Sequence, residues 1–390
     1  MASAAFASMA SIRLADSMLP RLAADFGRAP AEAAWVITGF TLAYGLMQLV
    51  YGPIGDRLGK LRVIAAASLL AALGSMLCAA APTLASLAVA RVATGACCAA
   101  IIPLSIAHIG DTVGERGRQV TLARFATGTL LGLTAGQVLG GVAADTVGWR
   151  GAFVLLALVF AAVGATMVGH LRGAAPQPAG ATNAALLRAY ADVARPRWSR
   201  FVLAAGLVEG AVMFGALAFI PTWLHMRFGA GLSMAGLVVA AVGIGGLLYA
   251  SSAGHWLRHF RVGSLARLGG VLVTLGWTVL LAASWLPAAT TVLWGAGSLL
   301  AGLGFYMLHN TLQMLATQLA PQARATAVGL FAVALFLGQS MGVASAGWLA
   351  PRIGYEALIG GAGMLFGLLG AVVAAGLDRR ARHAPAGQQG

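Results

Sequence analysis

Long, uninterrupted apolar runs decide what this chain can fold into. Twelve of them follow one another at roughly 3–24, 31–52, 61–81, 84–108, 120–143, 149–171, 200–225, 233–256, 265–286, 290–318, 324–349 and 354–377. Each is about as long as the 20 or so residues that a helix needs to cross a bilayer. Only helices and closed barrels span lipid, because every backbone N–H and C=O must find its partner inside the protein. Barrel strands alternate polar and apolar residues in short segments, whereas these runs are continuous and rich in Ala, Leu and Gly. The chain is therefore read as an all-α membrane protein with twelve transmembrane helices. Only 9% of its 390 residues are charged, against about 25% in soluble domains, so no water-facing surface could be covered.

The net charge of +14 raises the question of nucleic acid, and its placement answers it. With the N-terminus inside, eighteen basic residues fall on the inner side, from Arg57, Lys60 and Arg62 in the second loop to Arg379, Arg380 and Arg382 in the tail. Five, namely Arg21, Arg28, Arg150, Arg227 and Arg352, fall on the outer side. That is the positive-inside bias of a multi-pass protein with both termini cytoplasmic, and it excludes nucleic acid as the reason for the charge. Of 25 Lys and Arg residues Lys60 is the only lysine, as expected of a GC-rich bacterial genome, which makes the bilayer an inner membrane. Cys78, Cys97 and Cys98 all lie within apolar runs and read as small buried hydrophobes, not a disulfide framework. The start MASAAFASMASI lacks the basic region of a cleavable signal peptide. Because it lies almost inside the first run, a short cytoplasmic leader is expected to precede it.

The longest polar stretch, 172–200, has six runs on either side. The expected organisation is a six-helix bundle over 1–171, a cytoplasmic linker over 172–199 whose second part is a surface helix, a second bundle over 200–378 and a tail over 379–390. Internal repetition supports it. GPIGDRLGKLRV, ending at Val63, aligns with SSAGHWLRHFRV, ending at Val262, and GQVLGGVAAD, from Gly136, aligns with GQSMGVASAG, from Gly338, both about 200 residues apart. Pseudo-symmetric halves are how many secondary transporters build alternating access.

Four local patterns carry chemistry. The loop after the second run reads Gly52-Pro-Ile-Gly-Asp56-Arg57-Leu-Gly59-Lys60-Leu-Arg62. Gly52 and Gly59 permit close approach and a tight turn, and Asp56 at a helix end can meet a neighbouring helix N-terminus or an Arg, latching that side of the molecule. The fifth run has Gly128, Gly132, Gly136 and Gly140 four apart, then Gly141, with Gln137 between; Gly338, Gly342 and Ala346 echo this groove in the eleventh. Arg91, with Gly95 one turn on, and Asp16, four residues before Pro20, are charges in mid-membrane, where they are functional by default. Either can also be structural, Arg91 on backbone carbonyls and Asp16 on Arg13 one turn away. Thr41, Tyr44, Gln48 and Tyr51 in the second run, and Tyr306, His309, Asn310 and Gln313 in the tenth, form polar-aromatic stripes at helical spacing. Such stripes face a cavity or another helix, because lipid would leave the amides unsatisfied. Glu209 is the only acid of the seventh run, and His108 and Asp111 are read as loop residues.

The Gly52–Arg62 loop resembles the signature loop of the major facilitator superfamily. Gly132 to Gly141 resembles the antiporter motif of its drug:proton antiporter branch, with Gln137 where that motif has Pro. Arg91-x-x-x-Gly95 and Asp16-x-x-x-Pro20 resemble further motifs of the same family, with Thr94 in place of the usual Gln. The resemblance implies the major facilitator fold and proton-coupled efflux of a small, amphiphilic organic molecule by a monomer, with no cofactor or metal. In that reading Asp16 carries the proton, Arg91 opposes it across the cavity, Glu209 is the second acid, and Tyr44, Gln48, Tyr306, His309, Asn310 and Gln313 line the substrate site. A sugar or metabolite carrier of the same fold, or a transporter-like sensor, remains open. A nucleotide-driven pump is excluded, since no Gly-x-x-x-x-Gly-Lys-Ser/Thr is present. Neither a channel's filter loop nor an enzyme's metal or nucleophile cluster appears.

Overall fold

The computed structural model describes residues 1–171, 183–285 and 290–383. Among these, fifteen of sixteen α-helices make twelve rods. The first bundle is α1 (Ala2–Asp25), α2 (Pro30–Ala33) with α3 (Trp35–Leu58), α4 (Lys60–Ala79), α5 (Leu84–Cys98) with α6 (Ile101–Thr112), α7 (Glu115–Asp145) and α8 (Gly148–Gly169). The short α9 (Asn183–Ala194) leads into the second: α10 (Arg197–Leu217) with α11 (Ile220–Phe228), α12 (Leu232–His259), α13 (Val262–Ala282), α14 (Thr290–Gln318), α15 (Arg324–Ile353) and α16 (Tyr355–His383). The first part of the expected linker, 172–182, and the end of the tail, 384–390, lie outside the described residues.

Eleven rods are long and apolar enough to cross a membrane. The twelfth, α1, carries Arg13, Asp16, Arg21 and Asp25. It tolerates them because Ala4 to Leu22 is buried almost throughout and little of it faces lipid. Three runs read as single spans are broken rods. The second breaks at Ala34, between α2 and α3; the fourth breaks between Cys98 and Ile101, and Pro103 falls in the first turn of α6; the seventh breaks at Ala218–Phe219, and Pro221 falls in the first turn of α11. Proline is tolerated there because its missing N–H would have no partner anyway. His108 and Asp111 belong to α6 and not to a loop, since the helix continues past the apolar run.

Backbone-to-backbone packing sets the inner architecture. A Cβ placed on Gly136 would stand 2.5 Å from the Ala10 carbonyl oxygen, and one on Gly128 3.0 Å from that of Ala2. Gly132 and Gly140 press equally on Phe6 and Leu14. Four glycines of α7 thus run along every fourth carbonyl of α1. In the second bundle, Gly338 and Gly342 of α15 meet Leu207 and Ala211 of α10 in the same manner. The Gly136 and Gly338 repeats are therefore one packing device used twice.

The halves meet where α7 packs on α12 and α3 on α15. At the end opposite the basic loops they are closed. Asp145 accepts hydrogen bonds from the N–H groups of Leu232 (3.2 Å) and Ser233 (2.7 Å) and from Ser233 Oγ (2.7 Å), capping α12 from the other bundle. Gly141 leaves room for the Leu232 carbonyl, and Ser340 Oγ donates to the Thr38 carbonyl oxygen at 3.2 Å.

Candidate functional site

Between the bundles, on the side of the basic loops, lies a cavity of about 650 Å³, within the usual range for small-molecule sites. The C-terminal half of α3, the N-terminal halves of α7 and α15, and α14 wall it. Tyr44, Gln48, Tyr306, His309, Asn310 and Gln313 all line it. The polar stripes point inward here because α3 and α14 turn their apolar faces to neighbouring helices. Thr41, of the same stripe, is instead buried and bonds to the carbonyls of Ile37 and Thr38. Beyond Tyr44 and Tyr306, sequence reasoning missed the phenylalanines of the lining: Phe125, Phe214, Phe305, Phe331 and Phe336, which look like ordinary core residues in any single run. Tyr44 packs on Phe336 across the bundles with centroids 4.6 Å apart.

At the inner end of the cavity a charged network joins the two halves. Arg13 Nη1 pairs with Asp16 Oδ2 at 3.2 Å, and Arg13 Nη2 donates to Gln339 Oε1 on α15 at 3.1 Å. Gln137 Nε2 donates to the same Asp16 oxygen at 3.3 Å, and Gln137 Oε1 accepts from Ser17 Oγ at 3.2 Å. The guanidinium also lies over the Phe214 ring, 4.0 Å from its centroid, a favourable site for a desolvated cation. Gln137 and Gln339 occupy equivalent places in the two repeats, and each holds one member of the Arg13–Asp16 pair. Gln137 thus supplies an amide where the resembling motif has proline. Gln339 was not singled out from sequence, although the aligned repeats had placed it opposite Gln137.

The expected apposition of Arg91 and Asp16 across the cavity is not found. Arg91 is buried outside the lining, donating to the Ser11 carbonyl (2.9 Å), Ser11 Oγ (3.1 Å) and the Val36 carbonyl (3.4 Å), with its guanidinium 3.9 Å from the centre of the Phe40 ring. One turn on, Gly95 admits the Phe40 backbone. Arg91 and Gly95 together fasten α5 to α3 and α1. Glu209 is fully buried on α10, and its Oε2 lies 3.2 Å from His309 Nδ1.

At the basic end, Asp56 meets Lys60 at 3.2 Å, and Lys60 reaches on to Asp111 at 2.7 Å. The three join α3, α4 and α6 within the first bundle. Gly59, at φ +89°, makes the turn, whereas nothing lies within 4 Å of a Cβ on Gly52 and the close approach falls to Gly55 against Leu104. Arg57 and Arg62 flank the cluster. Asp56 and Asp111 are 45% and 42% exposed, so these pairs are worth at most about 1 kcal/mol of folding stability. Asp56→Asn is accordingly expected to leave yield and melting temperature unchanged while lowering turnover about tenfold, the effect of about 1.4 kcal/mol on the barrier between states. Wild-type turnover at matched expression would remove the latch role.

A twelve-rod bundle with a cavity between pseudo-symmetric halves, closed at one end, is the architecture of a membrane transporter, not an enzyme. The family model for the Major Facilitator Superfamily matches residues 1–343, and the chain belongs to that superfamily. The fold is shared with a bacterial homologue of the lysosomal transporter Spinster in an inward-facing conformation (TM-score 0.67, 16% identity, 96% and 95% of the two chains). It is shared also with a peptide transporter (TM-score 0.73, 16% identity, 97% and 94%). Among sequence relatives, the uncharacterized MFS-type transporter YceJ of Bacillus subtilis is 26% identical over 86% of this chain and 84% of its own. The multidrug resistance protein B homolog of Mycobacterium tuberculosis is 35% identical over 36% of this chain. The puromycin resistance protein of Streptomyces alboniger is 33% identical over 34% of this chain. The match spans only 27% and 26% of the length of these last two relatives.

Proposed function

We propose that the chain is a proton-coupled exporter of amphiphilic organic molecules in a bacterial inner membrane, working as a monomer with both termini and the basic loops in the cytoplasm. The observation that carries this is the cavity: about 650 Å³, walled mainly by aromatic and apolar side chains with a few amides, facing the basic end and bordered by two buried acids, Asp16 and Glu209. Aromatic walls suit flat hydrophobic cargo, and amides supply orientation without demanding one hydrogen-bonding pattern. A sugar site would be expected to carry more polar groups than these walls do. The drug-resistance names of the relatives and the glycine groove from Gly132 to Gly141 support export. Positive-inside placement supports the orientation. Coupling would use the buried acids, with Arg91 fixing the helix that carries Asp16.

The test is expression in a strain lacking its own efflux pumps, challenged with puromycin, a cephamycin and the cationic dye ethidium. Everted vesicles acidified inside should then accumulate whichever compound the cells resist. Unchanged susceptibility to all three, together with no dye accumulation in the vesicles, would overturn the exporter reading.

A further inference from the structure

We infer that Glu209 and His309 form a proton site in the second bundle, with the His309 ring carrying protons between the cavity and the Glu209 carboxylate. Glu209 is walled in by its own helix packing. Its neighbour Gly210 lies against the backbone of Leu335 and Gln339, and Gly206, one turn back, lies beneath the Phe331 ring. One carboxylate oxygen, Oε1, is buried without a partner, and the other faces His309 Nδ1 at 3.2 Å. His309 is 15% exposed and lines the cavity. Its ring stacks on Phe305 with centroids 5.3 Å apart and is flanked by Phe331 at 5.9 Å. The imidazole therefore has Nδ1 on the acid while the residue itself borders the cavity.

That is the arrangement of a relay. A hydronium ion reaching the cavity gives its proton to Nε2 and is left as water, the ring passes the Nδ1 proton to Glu209 Oε2, and the ring ends neutral in its other tautomer. The net change is one proton added to the carboxylate. The charged surroundings leave this to the pair itself. Among the described residues, the ion pair that Glu209 makes is with His309. Arg13 faces the same cavity from α1 beside Tyr306, α15 presents the uncharged Gln339, and α11 and α16 carry their charged residues near their ends. Asp16 differs, because its partner Arg13 is a permanent cation, whereas the partner of Glu209 can itself lose its charge. Cargo seated among Phe305, Phe331 and Tyr306 covers the ring, so occupancy of the cavity closes the route to Glu209.

The use of this site in transport rests on the proton-coupled reading, but its test needs no cargo. Purified full-length protein is titrated in lipid while the infrared band of protonated carboxyl groups is followed. Glu209→Gln should remove a band that Asp16→Asn retains. His309→Gln should keep the band but slow its response to a step in external pH by at least about tenfold. A spectrum unchanged by Glu209→Gln, or a His309→Gln response as fast as wild type, would overturn the inference. If His309→Gln does not fold, hydrogen–deuterium exchange of the wild-type band decides: rapid exchange supports the relay and a band that stays unexchanged refutes it. Failure here leaves export itself untouched.

Discussion

Gly140→Leu is expected to leave no folded protein. A Cβ at this position points directly into the carbonyl oxygen of Leu14, and the atoms it would meet are backbone. A side chain can change rotamer to make room, but a carbonyl within a helix moves only with the helix. Relief therefore means pushing α1 off α7, which undoes the neighbouring contacts of Gly132 with Phe6 and Gly136 with Ala10. Overpacking a core with movable neighbours costs about 1–3 kcal/mol; here several close contacts are lost together, against a total stability on the order of 10 kcal/mol. The effect should be graded along the groove, with Gly128→Ala the mildest because Gly128 sits farthest from its carbonyl. Gly329→Leu on α15, where nothing lies within 4 Å, is the control and should retain wild-type yield. Size-exclusion profiles in mild detergent report the outcome. A monodisperse Gly140→Leu protein with wild-type melting would mean that α1 and α7 do not pack as described.

The second large effect is at the Arg13–Asp16 pair. Asp16→Asn leaves a buried guanidinium without its counter-charge, and breaking one side of a buried pair costs about 3–5 kcal/mol. Part of that is relieved because Arg13 lines the cavity and can turn toward water there. The expected result is a protein that still folds, with gradient-driven transport reduced by at least about 100-fold, equivalent to roughly 2.7 kcal/mol on the rate. The double variant Arg13→Gln/Asp16→Asn separates two causes. Replacing both members of a buried pair with uncharged groups can be nearly neutral, and a glutamine at 13 can still bond to Gln339. If Asp16 serves to neutralise Arg13 in a tie between the bundles, the double variant recovers transport to within about tenfold of wild type. A double variant as inactive as Asp16→Asn would return the proton-carrying role to Asp16 and sink the tie.

How far the sequence could be read depends on which interaction fixes each residue. The twelve rods were legible because lipid imposes one length and one polarity on every span, a constraint local to each run. α1 was legible too, although its four charged residues keep it out of the eleven rods that meet the apolar criterion. The six polar lining residues could be picked out because spacing along a helix shows which side chains share a face, and uncharged amides are costly in lipid. Their aromatic companions could not, since Phe305 and Phe331 satisfy a lipid-facing, core or cavity position equally well. The broken rods at Ala34, Cys98–Ile101 and Ala218–Phe219 were missed for a related reason: a kink hardly alters hydropathy.

The charges divide along the same line. That Asp16, Arg91 and Glu209 must be buried with polar partners followed from the sequence, because a charge in hydrocarbon is too costly to leave unpaired. Arg13 for Asp16 and backbone carbonyls for Arg91 stood among the alternatives, but the choice between them, and the partner of Glu209, did not follow. Arg91 spans from α5 to the backbone of α1 and α3, Glu209 meets a histidine 100 residues away, and Arg13 reaches a glutamine 326 residues away. Spacing along the chain says nothing about such distances. The glycines at 128, 132, 136 and 140 announced a close approach, but that α1 fills the groove, and thereby holds Arg13 and Asp16 between Gln137 and Gln339, was settled by how helices far apart in sequence pack. Solvation in the bilayer acts on each segment separately, so the sequence alone determined the spans and their polar faces. Pairing is a choice among helices that all satisfy the bilayer equally, and only the tertiary structure makes it.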